Sequence, residues 1–254
     1  MHRRSPMTKF LICLLFPVLA SAANIVLSPI NHVLLRNEVS DDSVTKLQKE
    51  VFTLIQKRGH QTYTIYLVLD SPGGSIDAGL NLIESLKPVN NIETITLFAA
   101  SMASGIVEAL PGKRHVLETG TYMFHRARGG VNGQFEDGEL ESRLNFYKKM
   151  VRKMEQDNAD RMKMSLDRYK QLVINELWIF GKDSVAQGAA DEVSTITCTN
   201  TLINTRTVET FNYYGLQFQV EFSACPLFKG GTAVDPKQQS RYAQYKTSMK
   251  WGRQ

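Results

Sequence analysis

Three short stretches of this 254-residue sequence carry groups that could do chemistry. Pro72-Gly73-Gly74 ends an apolar run and precedes helical spacing, so its glycines let backbone N–H groups approach an anion or a developing oxyanion. Ser101 stands at the next junction of the same kind, where its hydroxyl is presented at the start of a helix. His125 closes a third apolar run, Tyr122-Met123-Phe124. A serine, a histidine and a glycine-lined anion pocket are the parts of a serine hydrolase. Singly, each has a plainer use: the serine as a helix cap, the histidine as a structural hydrogen bonder.

The elements that must position these groups follow from apolar spacing. Residues 24–35 are expected to form a short strand, and Val44, Leu47, Val51, Leu54 and Ile55 recur at helical intervals up to Gly59. Residues 64–69 form a near-continuous β-rich run of the kind buried in a parallel sheet. Helical spacing resumes at Ile76, Leu80, Ile83 and Leu86, a second buried strand covers 92–98, and a short helix runs to Leu110. This alternation predicts a layered α/β fold. In 138–164, Leu140, Leu144, Tyr147, Val151 and Met154 step by four and three residues, predicting a helix about 40 Å long with a narrow seam suited to packing on another helix. Further on, Leu216, Phe218, Val220 and Phe222 alternate with polar residues, and with 208–214 they predict a hairpin.

The formal charge of +5 invites a nucleic-acid reading until it is located. Residues 1–22 place His2, Arg3, Arg4 and Lys9 ahead of an apolar run too short to span a bilayer, followed by Ala20-Ser21-Ala22. That is the layout of a secretory signal peptide cleaved near Ala22/Ala23, which predicts an exported protein, periplasmic or secreted. Residues 226–254 hold six Lys/Arg against Asp235 alone, a basic tail expected to be a solvated end. The body between them is net acidic, so no nucleic-acid partner is expected. Cys13 leaves with the leader, and Cys198 and Cys225 are expected to pair in an oxidising compartment. Too few His and Cys lie nearby for a zinc site, and hydrolysis by a serine and a histidine is expected to need neither a metal nor an organic cofactor.

At this point the sequence resembles a known family. Residues 33–193 look like the proteolytic subunit of the Clp protease, within the wider crotonase-like fold that also holds the signal-peptide peptidase SppA. The motifs are Asp70-Ser-Pro-Gly-Gly-Ser-Ile-Asp-Ala-Gly79, Ala99-Ala-Ser-Met102, Gly112-Lys-Arg114, Met123-Phe-His-Arg-Ala-Arg-Gly-Gly130 with Gly133-Gln134 following, and Gly181-Lys-Asp-Ser-Val-Ala-Gln-Gly188. Several motifs in family order and near-family spacing make the match specific. The resemblance implies an α/β, ClpP/crotonase-like fold: a repeated ββα spiral with a long handle helix, here carrying a small C-terminal β extension. The division is then a leader at 1–22, a peptidase domain at 23–197, a disulfide-closed extension at 198–225 and the tail at 226–254.

Residue by residue, the resemblance implies Ser101 as nucleophile, His125 as general base, and the Gly74 and Met102 N–H groups as the oxyanion hole. Gly129, Gly130 and Val131 match the stretch that pairs with an extended substrate. The family's aspartate falls on Glu176, one methylene longer, with Asn175 and Asp183 as neighbouring alternatives. Ala103 replaces a glycine usual after Ser-Met, and Ser104 would be the nucleophile if the frame followed SppA, whose paired lysine has no counterpart here. Two functions remain open. One is an exported serine endopeptidase acting on peptides or unfolded proteins, a homo-oligomer with no ATPase unfoldase partner. The other is an inactive oligomeric scaffold or peptide-binding protein; acyl-CoA chemistry is a weaker third reading.

Overall fold

The computed structural model describes residues 23–59, 63–129, 135–136 and 138–250. The expected leader at 1–22, and Gly130 and Val131, lie outside those residues. In chain order the elements are β1 (Asn24–Leu27), β2 (His32–Arg36), α1 (Asp41–Arg58), β3 (Ile65–Ser71), α2 (Ile76–Leu86), β4 (Ile92–Ala100), α3 (Met102–Ala109), β5 (Arg114–Phe124), α4 (Glu139–Arg161) and α5 (Leu166–Leu172). There follow β6 (Leu177–Phe180), α6 (Gly181–Ala186), β7 (Glu192–Val193), β8 (Thr195–Cys198), α7 (Asn200–Asn204), β9 (Arg206–Tyr213), β10 (Leu216–Ser223), β11 (Thr232–Ala233) and α8 (Gln239–Lys250).

The main sheet has the order β2-β3-β4-β5-β6, with β7 also pairing to β5. The pairs from β2 to β5 are parallel, and β6 runs antiparallel to β5. Because the side chains of a strand alternate between faces, β3 feeds two cores. Leu67 and Leu69 join Val44, Leu47, Leu82 and Ile106 beneath α1, α2 and α3, while Val68 joins Ile95, Leu97, Ile25, Leu27 and Leu202 on the other face. Two caps start the helices that cover the first face. Ser40 accepts from the Ser43 N–H while the Ser43 hydroxyl accepts from the Ser40 N–H, and Ser75 accepts from the Ala78 N–H.

The structure departs from the sequence-based expectation in two places. Residues 24–35 are not one strand: a turn in which the Ser28 N–H donates to the Asn31 side chain (2.7 Å) separates β1, which pairs with β8, from β2. The basic tail is not a solvated end either. The strand β11 pairs with β10, and α8 lays Tyr242, only 2% exposed, on Phe211, Phe218, Val220 and Phe222. The hairpin β9–β10 presents an apolar face that has to be covered, and Tyr242 and Tyr245 of α8 cover it while Lys246 stays outside. Cys198 and Cys225 form the expected disulfide, Cα to Cα 6.0 Å, within the second core. The hairpin and the segment after it are fastened to the main sheet through Arg36 of β2, which bridges Asp70 of β3 (3.7 Å) and Glu209 of β9 (3.5 Å), and through Lys229 on Asp70 (3.4 Å).

Candidate active site

In a parallel sheet the carboxyl ends of neighbouring strands share one edge, and the groups singled out above gather there. Pro72 to Ser75 follow β3, Ser101 follows β4 and His125 follows β5. The antiparallel strand β6 enters at the same edge, with Leu177 paired to Phe124, so the preceding Glu176 arrives beside His125.

Ser101 takes φ 53°, a left-handed conformation that costs a non-glycine residue on the order of 1–3 kcal/mol and turns the chain sharply from strand to helix. Its N–H is anchored on the Met123 carbonyl (2.9 Å). The hydroxyl oxygen then lies 2.7 Å from His125 Nε2. In the tautomer in which Ser101 donates to Nε2, the proton of the ring sits on Nδ1. That nitrogen is buried and has no hydrogen-bond partner among the described residues. Burial lowers the pKa of His125 from the ordinary value, the Arg128 charge lowers it further, and the Glu176 charge opposes both.

The glycine loop is fitted to this edge by contact. At Gly73, with φ +92°, a Cβ would meet the Ala100 carbonyl oxygen at 2.5 Å, Ser101 Cβ at 2.7 Å and Met102 N at 2.8 Å. Val39 bridges the loop from outside: its N–H donates to the Gly73 carbonyl (2.7 Å) and its carbonyl accepts from the Ser75 N–H (2.8 Å). These bonds do not use the N–H groups of Gly74 and Met102.

The remaining candidates are distributed differently. Ser104 is fully buried and donates to the carbonyls of Ser101 (2.6 Å) and Met123 (2.9 Å), so its hydroxyl serves the turn that holds Ser101. The Glu176 carboxylate accepts from Arg128 Nη2 (3.1 Å) and Trp178 Nε1 (3.1 Å). Asn175 and Asp183 are exposed. Gly129 packs against Tyr147 of α4, where a Cβ would meet the phenol oxygen at 2.6 Å. Arg128 had no signal in the sequence beyond its place between His125 and Gly129, because its partner lies 48 residues away.

A cleft of about 90 Å³ opens at Ser101 and His125. Ile76, Phe124, Val151 and Met154 form its apolar wall, and Asn158 donates to the Tyr169 hydroxyl (2.9 Å) at its back. A larger cavity of about 700 Å³ lies between α1 and β9 and touches neither residue. Behind the site, Arg114 pairs with Glu108 (2.5 Å) and Asp191 (2.7 Å) and donates to the Gly188 carbonyl (2.8 Å), tying β5 to the segment after α6. Burial pushes the Glu108 carboxyl up to about 8, against the pull of Arg114.

A mostly parallel sheet layered with helices, one long helix (α4), and a hydroxyl and imidazole meeting at the carboxyl edge define an α/β protein of the ClpP-like fold. The family model for Clp protease matches residues 22–197, and the chain belongs to that family of peptidases. An ATP-dependent Clp protease proteolytic subunit of Streptococcus gordonii is 28% identical over 135 residues, covering 52% of this chain and 69% of that protein. The proteolytic subunit 2 of Cutibacterium acnes is 27% identical over 164 residues, covering 63% and 76%. That of Streptococcus mutans is 25% identical over 164 residues, covering 63% and 83%.

Proposed function

We propose that the protein is an exported serine endopeptidase that cleaves peptides or unfolded proteins through an acyl-enzyme. The observation that carries this reading is the 2.7 Å approach of Ser101 Oγ to His125 Nε2 beside Gly74 and Met102. His125 takes the Ser101 proton as Oγ attacks the peptide carbonyl. The N–H groups of Gly74 and Met102 receive the oxyanion, each such donor being worth roughly 3 to 4 kcal/mol in the transition state. His125 then gives the proton to the leaving amine, and water enters by the same route in reverse.

Glu176 is the third member in this reading. It is the carboxylate whose charge raises the His125 pKa, and it precedes the strand that pairs with the end of β5. Gly129, with Gly130 and Val131 after it, would pair with the substrate by strand addition, which reads backbone more than side chain. The exposed Leu140, Leu144 and Phe146 of α4, with Trp178 and Phe180 of β6, favour a homo-oligomer. The Cys198–Cys225 bond and the leader-like 1–22 favour export, where no ATP supply supports an unfoldase partner.

One observation favours the rival reading, an inactive oligomeric scaffold or peptide-binding protein: Glu176 is engaged by Arg128 and Trp178 while His125 Nδ1 has no partner among the described residues. A fluorophosphonate probe separates the two. Labelling of the mature protein that is lost in Ser101→Ala and kept in Ser104→Ala supports the peptidase, and a wild type that takes no label supports the scaffold.

A further inference from the structure

Arg128 stands where a substrate must pass. It is three residues beyond His125 and one before Gly129, and it borders the same cleft as Ser101 and His125. Its side chain is 75% exposed, and one of its nitrogens donates to Glu176 Oε1. A guanidinium carries five N–H donors in a planar fork that matches a carboxylate in two parallel bonds, so most of its capacity is left for a ligand. An ion pair as exposed as Arg128–Glu176 binds weakly, because water competes for both partners. A second carboxylate arriving along the cleft therefore exchanges for Glu176 at little cost.

The electrostatics run the same way. General-base catalysis turns His125 into an imidazolium, which the Arg128 charge opposes and the Glu176 charge favours. With one Glu176 oxygen held on Arg128 and the other on Trp178 Nε1, the His125 Nδ1 proton finds no acceptor among the described residues. We infer that Arg128 recognises a carboxylate of the peptide substrate beside the scissile bond, and that by taking it up Arg128 releases Glu176 to orient His125. The enzyme would then prefer acidic peptides, and its triad would be completed by the substrate it selects. This inference rests on the Ser101–His125 peptidase reading.

The carboxylate can belong to an Asp or Glu side chain or to a peptide C-terminus. Binding to the full mature chain carrying Ser101→Ala tests recognition without turnover. Fluorescein-labelled peptides that differ only as Asp against Asn beside the cleavage point, or as free acid against C-terminal amide, are compared by anisotropy. The acidic member of one pair is expected to bind on the order of tenfold tighter, and Arg128→Gln to erase that difference. Equal affinities within both pairs, or a preference that survives Arg128→Gln, overturn the inference. In the wild type, the preferred acidic peptide is expected to raise kcat as well as lower KM, and Arg128→Gln to raise kcat on neutral peptides. Effects confined to KM would show that Glu176 is not released. Failure of the peptidase reading looks different: acid-selective binding would persist in a protein that neither cleaves peptides nor labels at Ser101.

Discussion

Ser101 Oγ and His125 Nε2 meet at 2.7 Å although 24 positions separate them in the chain. They meet because β4 and β5 are neighbouring parallel strands whose pairing ends with Ala100 against Met123. One residue past that pair on one strand and two on the other, the chain turns into α3 and into the 125–129 loop. The fit is steric as well as electronic, since the glycine loop from β3 closes on the same point.

Gly73→Ala should uncouple the nucleophile from its anion site. Its Cβ has no room against Ala100, Ser101 and Met102, and φ +92° strains any side chain, at a cost of about 1–3 kcal/mol. The displacement falls on Ser101 and on the Met102 N–H, so fluorophosphonate labelling of Ser101 is expected to slow by about a hundredfold or more. Gly230→Ala, which opens into free space, is the control and should label at the wild-type rate. Labelling of Gly73→Ala at the wild-type rate would remove the loop from the mechanism.

The base should work at lower pH than an ordinary histidine. Burial and Arg128 both disfavour the imidazolium, so His125 stays neutral, and able to accept a proton, below its usual pKa. The acid limb of the Ser101 labelling rate is expected below pH 6.5. Glu176→Gln removes the carboxylate that raises the pKa and should move the limb lower still, whereas Arg128→Gln should move it higher. A limb that rises in Glu176→Gln contradicts this account of the site.

The disulfide should stabilise the molecule without touching catalysis. Its closure over 27 positions is worth about 3 to 4 kcal/mol on the chain-entropy model. Reduction, or Cys198→Ser with Cys225→Ser, is therefore expected to lower the melting temperature by roughly 10 °C. Ser101 labelling at 25 °C should persist, because the bond lies in the core on the opposite face of the sheet from α3. An unchanged melting temperature would mean that the extension gains nothing from the bond.

Much of the site could be read locally. A buried strand ending in small residues ahead of helical spacing marks a strand-to-helix junction wherever it occurs, and Gly73-Gly74 and Ser101 lie at such junctions, while His125 closes the apolar run of β5. The pairing of Cys198 with Cys225 followed from their number once Cys13 was assigned to a leader. The alternation from Leu216 to Phe222 specified a strand with one apolar face, because a side-chain period of two is a property of the strand alone.

What covers that face was not legible, since the segment around Tyr242 has the charge of a tail, and only its place across the hairpin makes its aromatic residues a core. The break between β1 and β2 was hidden for a related reason: both halves are apolar, and the turn at Ser28–Asn31 matters only because β8 and β3 lie in different layers. At the site, sequence determined which residues stand at the edge of the sheet. Tertiary structure decided how their charges pair, bringing Arg128 onto Glu176 and leaving His125 Nδ1 unmatched among the described residues. Spacing along a chain sets the face and the end on which a residue falls. A long, exposed side chain chooses its partner from whatever the folded chain brings within reach.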